Sequence, residues 1–303
     1  MATVAVPAPP ITGRARQERR LGWMLCAPAL AAMVAVTAYP MVNALWLSLF
    51  SYRLTDPAGR EFVGLRNYGV VLTDGLWWRD VANTVGLTVV TVAFELVIGL
   101  ALAMVMHRVI FGRRLLRTSI LVPYGIITVV AAFAWRYAFA SDSGFVNQWL
   151  GLEDFAWFSE RWSSLVVIGL SEIWKTTPFM SLLLLAGLAQ VPGVLREAAE
   201  VDGATWWQRL WRVTLPNMKA AIMVALLFRT LDAYRIFDSV FVTTGGAQDT
   251  ETVSFLAYRQ TITRTALGLG SAVSVLLFAS VVLIAAAFIK GFKVDLGGVR
   301  GDP

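Results

Sequence analysis

Six long apolar stretches, 21–50, 81–106, 119–140, 164–190, 220–242 and 266–289, alternate with polar, charge-bearing segments. Crossing a hydrocarbon core takes about 20 apolar residues at about 1.5 Å of rise each, and every stretch is long enough. The pattern predicts an all-α polytopic membrane protein with six transmembrane helices. Residues 1–20 read as a Pro-rich, basic tail expected to be disordered, 21–290 as the membrane domain and 291–303 as a second tail. The first span follows four arginines, but its apolar run is too long for a signal h-region and no small-residue cleavage site closes it, so it reads as an anchor. Segment 51–80, with FVGLRNY and the Trp77-Trp78 pair, predicts a short interfacial helix. Segment 141–163 carries Trp149, Trp157 and Trp162, whose amphipathic rings suit the headgroup zone.

Composition narrows the chemistry. Only 15% of the 303 residues are charged, against about 25% in soluble domains. Cys26 is the single cysteine and His107 the single histidine, which excludes an intrachain disulfide and Cys- or His-rich metal sites. No metal site and no catalytic constellation can be assembled. A net charge of +6 could suggest nucleic acid, but topology accounts for it better. Alternate connections, taken with both tails, carry fifteen Lys and Arg against six acids; the opposite connections carry seven against ten. Basic residues collect on the cytoplasmic side, so both termini are expected to be cytoplasmic.

Ionisable residues within spans are costly and deserve naming. The fifth span contains Arg229, Asp232, Arg235 and Asp238, alternating in sign at i,i+3 spacing, where helix neighbours can pair. Glu172 and Lys175 form a similar pair near Pro178, with Glu95 in the second span and Arg136 near the outer end of the third. Two readings stand: mutual neutralisation at helix contacts, or the lining of a water-filled route for a polar solute. On the second reading the candidate pathway residues are Lys175, Arg229, Asp232, Tyr234 and Asp238. Tyr234, Phe237, Trp174 and Trp135 offer faces on which a sugar ring could stack. No internal repeat of the kind found in many secondary transporters is visible.

The connection 191–217, VPGVLREAAEVDGATWWQRLWRVTLPN, does not read as a plain linker. Helix formers 195–200 precede Gly203, and Trp206, Leu210 and Val213 then recur on one helical face until Pro216, which is expected to stop the helix. A Trp-rich amphipathic element on the cytoplasmic face suggests docking to another protein. Glu197-Ala198-Ala199, Asp202-Gly203-Ala204 and Leu215-Pro216 resemble the EAA loop of the permease subunits of bacterial ABC importers. Tyr39-Pro40, FVGLRNY, Asn83-Thr84, Pro123, Trp174-Lys175 with Pro178, Gly187-Leu188 and TTGGAQDTET resemble the carbohydrate branch typified by the maltose and glycerol-3-phosphate systems. Two departures are Ala247, where that branch often has proline, and Lys219, where many members have proline.

The resemblance implies the type I ABC importer permease fold. It implies that Glu197, Ala198, Ala199, Asp202 and Gly203 form a coupling helix received by an ATP-binding subunit. It implies partners: a second permease, an ATP-binding subunit dimer and an extracytoplasmic sugar-binding lipoprotein, all at the lipid bilayer of the cell membrane. The solute would be a sugar, a disaccharide such as trehalose. The chain has no G-x-x-x-x-G-K-[ST] phosphate loop, so cofactors are none in this chain and Mg-ATP belongs to the partner subunits. The alternatives are a secondary-active solute transporter and an ABC permease for a non-sugar solute. A membrane-embedded transferase would need an acid or histidine cluster at one membrane face, and His107 has no such neighbours in sequence.

Overall fold

The computed structural model describes residues 13–109, 111–152 and 155–291. Residues 1–12 and 292–303, most of the two expected tails, lie outside the described residues, while 13–20 form the opening turns of α1. Helix α1 (Gly13–Met33) runs through a π-wound turn, Val34–Ala38, into α2 (Tyr39–Leu47). A proline clashes with the carbonyl four residues back and offers no donor. The wider turn immediately before Pro40 lets the rod continue. Two short antiparallel strands follow, β1 (Phe50–Arg53) and β2 (Asp56–Phe62), with Phe50 opposite Phe62. This hairpin is an addition to the all-α expectation, and Arg60 covers the Phe50 ring at 4.2 Å.

Segment 51–80 does hold a short helix, α3 (Arg66–Thr73). Its motif works by hydrogen bonding. Asn67 Nδ2 donates to the Ser48 and Phe50 carbonyls at 2.7 and 2.9 Å, and the Tyr68 hydroxyl shares a proton with Ser48 at 2.6 Å. The end of the first span, the hairpin and α3 are thereby tied together.

Asp74 caps α4 (Gly75–Arg108) by accepting from Leu76 N. With 34 residues, α4 is about 50 Å long, well beyond the roughly 30 Å hydrocarbon core. The expected third span is not one rod. α5 (Arg113–Gly125) and α6 (Thr128–Ala138) meet at 87°, with Ile126 and Ile127 extended between them. Pro123 and Gly125 explain the break, as neither supports a helix interior. After α7 (Phe145–Leu150), α8 (Arg161–Ala189) continues through Pro178 and turns 73° into α9 (Gly193–Val201).

Next come α10 (Trp206–Arg209), a π turn over Leu210–Thr214, α11 (Leu215–Asn217) and α12 (Lys219–Ala233). Pro216 therefore does not end the helix where it was expected to. The π turn again precedes the proline, and only Met218 interrupts the winding. The fifth span is also broken: after α12 the chain unwinds near Arg235–Phe237 and resumes as α13 (Asp238–Thr243). α14 (Val253–Tyr258), a third π turn and α15 (Leu267–Gly291) complete the described chain.

Among the described residues, the helices Arg20–Leu47, Gly75–Arg108 and Leu267–Gly291 are each long and apolar enough to cross a membrane, and the bent pair α5–α6 passes the same test when joined. The core is α4 against α8 with α12 across the half nearer the 191–217 connection, where Ala103, Met106, Met180, Leu184, Met218 and Ala225 are fully enclosed. A second cluster, near the N-terminal end of α4, joins Val71, Trp77, Val253, Leu256 and Val273. The most apolar stretch of Arg20–Leu47 buries none of its residues, and the rod leans on α15 through its α2 part.

Candidate functional site

The second span carries the first clue to the site. Asp80, Asn83, Thr84, Thr88, Thr91 and Glu95 recur at helical spacing along α4, and all are buried. This polar stripe meets segment 249–253 through Asn83 and Thr84, and α8 and α12 through Glu95. Its hydroxyls bond within the helix: Thr84 Oγ1 donates to the Asp80 carbonyl and Thr88 Oγ1 to that of Thr84, each at 2.7 Å. At its inner end, Glu95 meets Arg229 of α12, whose side chain is only 1% exposed. Arg229 Nε and Nη2 donate to the two Glu95 oxygens at 2.5 and 2.9 Å, and Nη1 donates to Asp232 Oδ2 at 2.6 Å. Thr176 Oγ1 of α8 donates to Glu95 Oε1 at 2.8 Å. Glu172 Oε2 stands 3.9 Å from Arg229, and Ser239 of α13 donates to the other Glu172 oxygen.

Three helices and the segment beyond the break thus converge on one guanidinium. Arg229 and Asp232 do pair at i,i+3. Arg235 and Asp238 do not extend that series as helix neighbours, because the helix ends between them. Unwinding frees backbone groups, tolerated at membrane depth only where other protein or a wet cavity satisfies them. A cavity of about 420 Å³ lies there, lined by Tyr124, Thr128, Glu172, Lys175, Asp232 and Arg235, with Phe237 and Asp238 beside them. Lys175 Nζ sits 5.8 Å from the Tyr124 ring centroid, a cation–π distance, rather than pairing with Glu172.

Of the candidate pathway residues, Lys175, Asp232 and Asp238 line this cavity, Arg229 braces its wall from behind, and Tyr234 is buried and not among the lining residues. Of the candidate stacking rings, Phe237 lines it, whereas Trp135 and Trp174 face each other at 6.0 Å. Tyr124, Thr128 and Thr176 were not singled out by sequence; only the bend after Tyr124 brings that ring to α8. Trp149 and Trp162 are exposed as anchoring would require, but Trp157 is packed among Phe139 and Phe155 and donates to Asn147 Oδ1 at 2.7 Å.

In the 191–217 connection, Glu197, Ala198 and Ala199 lie on α9, and Asp202 and Gly203 form its exit. Gly203 has φ +75°, a conformation side-chain-bearing residues rarely adopt, and this sends the chain back toward α10. Thr205 caps α10 through a reciprocal pair of bonds with Gln208, and Arg209 pairs with Glu200 across the bend. Trp207 and Trp211 are more than 60% exposed, an apolar surface that protrudes from the loop.

Near the N-terminal end of α4, segment 244–253 is bolted to that helix. Asn83 Nδ2 donates to the Asp249 and Glu251 carbonyls at 2.7 and 2.8 Å, Val253 N donates to Thr84 Oγ1, and Arg79 pairs with Asp249 at 2.5 Å. Thr252 Oγ1 donates to the Ile236 carbonyl at 3.1 Å, satisfying one group freed by the break. Glu251 is buried beside Arg259 at 2.9 Å. Burial pushes its carboxyl above the usual range, and Arg259, Arg264 and Arg79 oppose that rise.

Residues 95–292 match the family described as the binding-protein-dependent transport system inner membrane component. The chain belongs to that family. This permease is 52% identical over 292 residues to the trehalose transport system permease protein SugA of Mycobacterium tuberculosis, covering 96% of this chain and 94% of the relative. It is 35% identical over 280 residues to the trehalose/maltose transport system permease protein MalF of Thermococcus litoralis, covering 90% and 94%. In fold it resembles a chain of the bacterial alginate ABC transporter, crystallised with an alginate pentasaccharide-bound periplasmic protein. That likeness has a TM-score of 0.78 at 20% identity over 92% of this chain and 96% of the other. The permease is a multi-pass membrane component of a transport system and has the ABC permease fold.

Proposed function

We propose that this permease forms, with a second permease, the membrane path of an ATP-driven sugar importer, and that its solute is a disaccharide of the trehalose type. The observation that carries this is the cavity at the break in the fifth span. Its volume falls within the roughly 300–1,000 Å³ of small-molecule sites. Its lining offers what a neutral, hydroxyl-rich solute needs: carboxylates to accept, Lys175 and Arg235 to donate, and the Phe237 and Tyr124 rings to cover apolar ring faces. The names of the two sequence relatives, a trehalose and a trehalose/maltose permease, support the same solute class.

In this reading Lys175, Asp232 and Asp238 contact the sugar, and Arg229 holds Asp232 and Glu172 in place. Glu197, Ala198, Ala199, Asp202 and Gly203 transmit motion from an ATP-binding subunit, two copies of which hydrolyse Mg-ATP. An extracytoplasmic binding lipoprotein delivers the sugar, the termini are cytoplasmic, and the chain crosses six times, its third and fifth crossings bent or broken. The test is reconstitution of the permease with these partners in liposomes and measurement of labelled trehalose uptake. Uptake that requires both ATP and the binding protein, and that falls on Lys175→Ala or Asp232→Ala substitution, is expected. Uptake by the permease without an ATP-binding subunit would return the secondary-transporter reading, and ATP-driven uptake of only a non-sugar solute would overturn the sugar assignment.

A further inference from the structure

The coupling loop joins α8 and α12 covalently, so those helices are its evident outlets. A third helix reaches it without any covalent link. α4 overshoots the hydrocarbon core, and its last two residues touch the loop. Arg196 Nη1 of α9 lies 3.2 Å from His107 Nε2. Arginine has only donors, so Nε2 is the acceptor and the ring proton sits on Nδ1. Arg108 stands 5.9 Å from the ring centroid of Trp206, the first residue of α10, within the range of a cation–π attraction. Met104, His107, Arg108, Arg196, Trp206 and Arg209 surround a cleft of about 290 Å³ at this junction, and the contacts of His107 with Arg196 and of Arg108 with Trp206 bridge α4 to α9 and α10 beside it.

Twelve residues, about 18 Å, up the same helix, Glu95 holds Arg229 and, through it, Asp232 in the cavity wall. A single rigid helix therefore has one end on the loop and its middle on the pathway.

We propose that α4 is a second transmission element between the coupling loop and the translocation cavity, engaged through His107 with Arg196 and Arg108 with Trp206. This rests on the reading that 191–217 receives an ATP-binding subunit. Movement of α9 drags or releases the α4 end, and α4 moves Glu95 and the Arg229 cluster relative to α8. His107 and Arg196 are positioning residues: they touch neither sugar nor nucleotide. Site-to-site coupling free energies of the usual size correspond to changes of about 5-fold or more.

The experiment compares His107→Ala, Arg196→Ala, the double variant and His107→Gln in the complete reconstituted complex. Read out are co-purification of the ATP-binding subunit and sugar moved per ATP hydrolysed. The expected result is a complex that still assembles. Sugar moved per ATP falls about 5-fold or more in either single variant. The double variant falls no further, and His107→Gln, which keeps an acceptor near the Nε2 position, recovers most of the loss. An unchanged ratio, or losses that multiply in the double variant, would overturn the proposal. So would failure of the variants to retain the ATP-binding subunit, which would make these residues part of the docking surface. A native complex that never retains that subunit refutes the docking reading itself, a distinguishable outcome.

Discussion

Arg229→Met tests the central cluster most directly. The methionine keeps most of the length of the side chain and removes its charge. What it leaves behind is the Glu95 carboxylate, fully buried and losing bonds of 2.5 and 2.9 Å, with only the Thr176 hydroxyl remaining. Breaking a buried pair by removing one partner typically costs about 3–5 kcal/mol, and a lone carboxylate at membrane depth costs about 3 kcal/mol on insertion scales. Asp232 adds little, because its side chain is 62% exposed and keeps its water. The expected loss is therefore about 3–5 kcal/mol, a shift of roughly two to nearly four decades in the folded-to-unfolded ratio.

The partner variant Glu95→Leu with Arg229→Met removes both charges. Thr176 stays satisfied through the Glu172 carbonyl at 2.6 Å. Glu172 loses its arginine in both variants and keeps the Ser239 hydroxyl, so the double variant should recover much of the single variant's loss, as hydrophobic replacement of buried pairs commonly does. The assay is reversible unfolding in mixed micelles by titration with a denaturing detergent, run as a double-mutant cycle. A single variant no less stable than the double one would refute the assignment of Glu95–Arg229 as the charge pair that holds α4 to α12. The cycle also separates stability from transport. If the double variant folds but moves no sugar, the pair positions the cavity wall as well as holding it together.

Gly203→Pro should insert normally yet abolish uptake, because proline requires φ near −65° where the chain has +75°; native uptake with native membrane levels would remove the bend from the coupling mechanism. Asn83→Ala leaves two carbonyls of segment 244–253 without their donor. A loss of about 1–3 kcal/mol, with proteolytic cutting in 244–252 as the readout, is expected, and native resistance would show that the loop is held by other contacts. Gly187→Leu should prevent assembly or destabilise by about 1–3 kcal/mol. Even a Cβ there would overlap the Ala221 methyl and part α8 from α12, and thermal stability equal to native would contradict that close approach.

Much of this protein could be read before any fold was seen, for local reasons. Apolar run length is a one-dimensional property set by bilayer thickness, and the bias of Lys and Arg between alternate connections is equally countable. The bend at Gly203 and the helices flanking it follow from short-range propensities and from the absence of a Cβ at φ +75°. The ionisable residues of the spans announced themselves because charge in an apolar run is costly, and Glu95 already stood out on that ground. A polar stripe at i,i+3 and i,i+4 from Asp80 to Glu95 also lay in plain sight.

What the tertiary structure decided was partnership. Arg229 takes both Asp232, three residues away, and Glu95, 134 residues away; no local rule adds so distant an acid to the sequence neighbour Asp232. Nor could periodicity foresee that the fifth span unwinds after Ala233, since Arg235–Phe237 has no proline or glycine to signal a break. The unwound carbonyl of Ile236 is stable because Thr252 of a loop sixteen residues on supplies its donor. Apolar run length and the bent helical connection around Gly203 are consequences of solvent and local backbone chemistry, legible in order along the chain. The cavity, its charge pairs and the reach of α4 exist only where distant segments complete one another's hydrogen bonds.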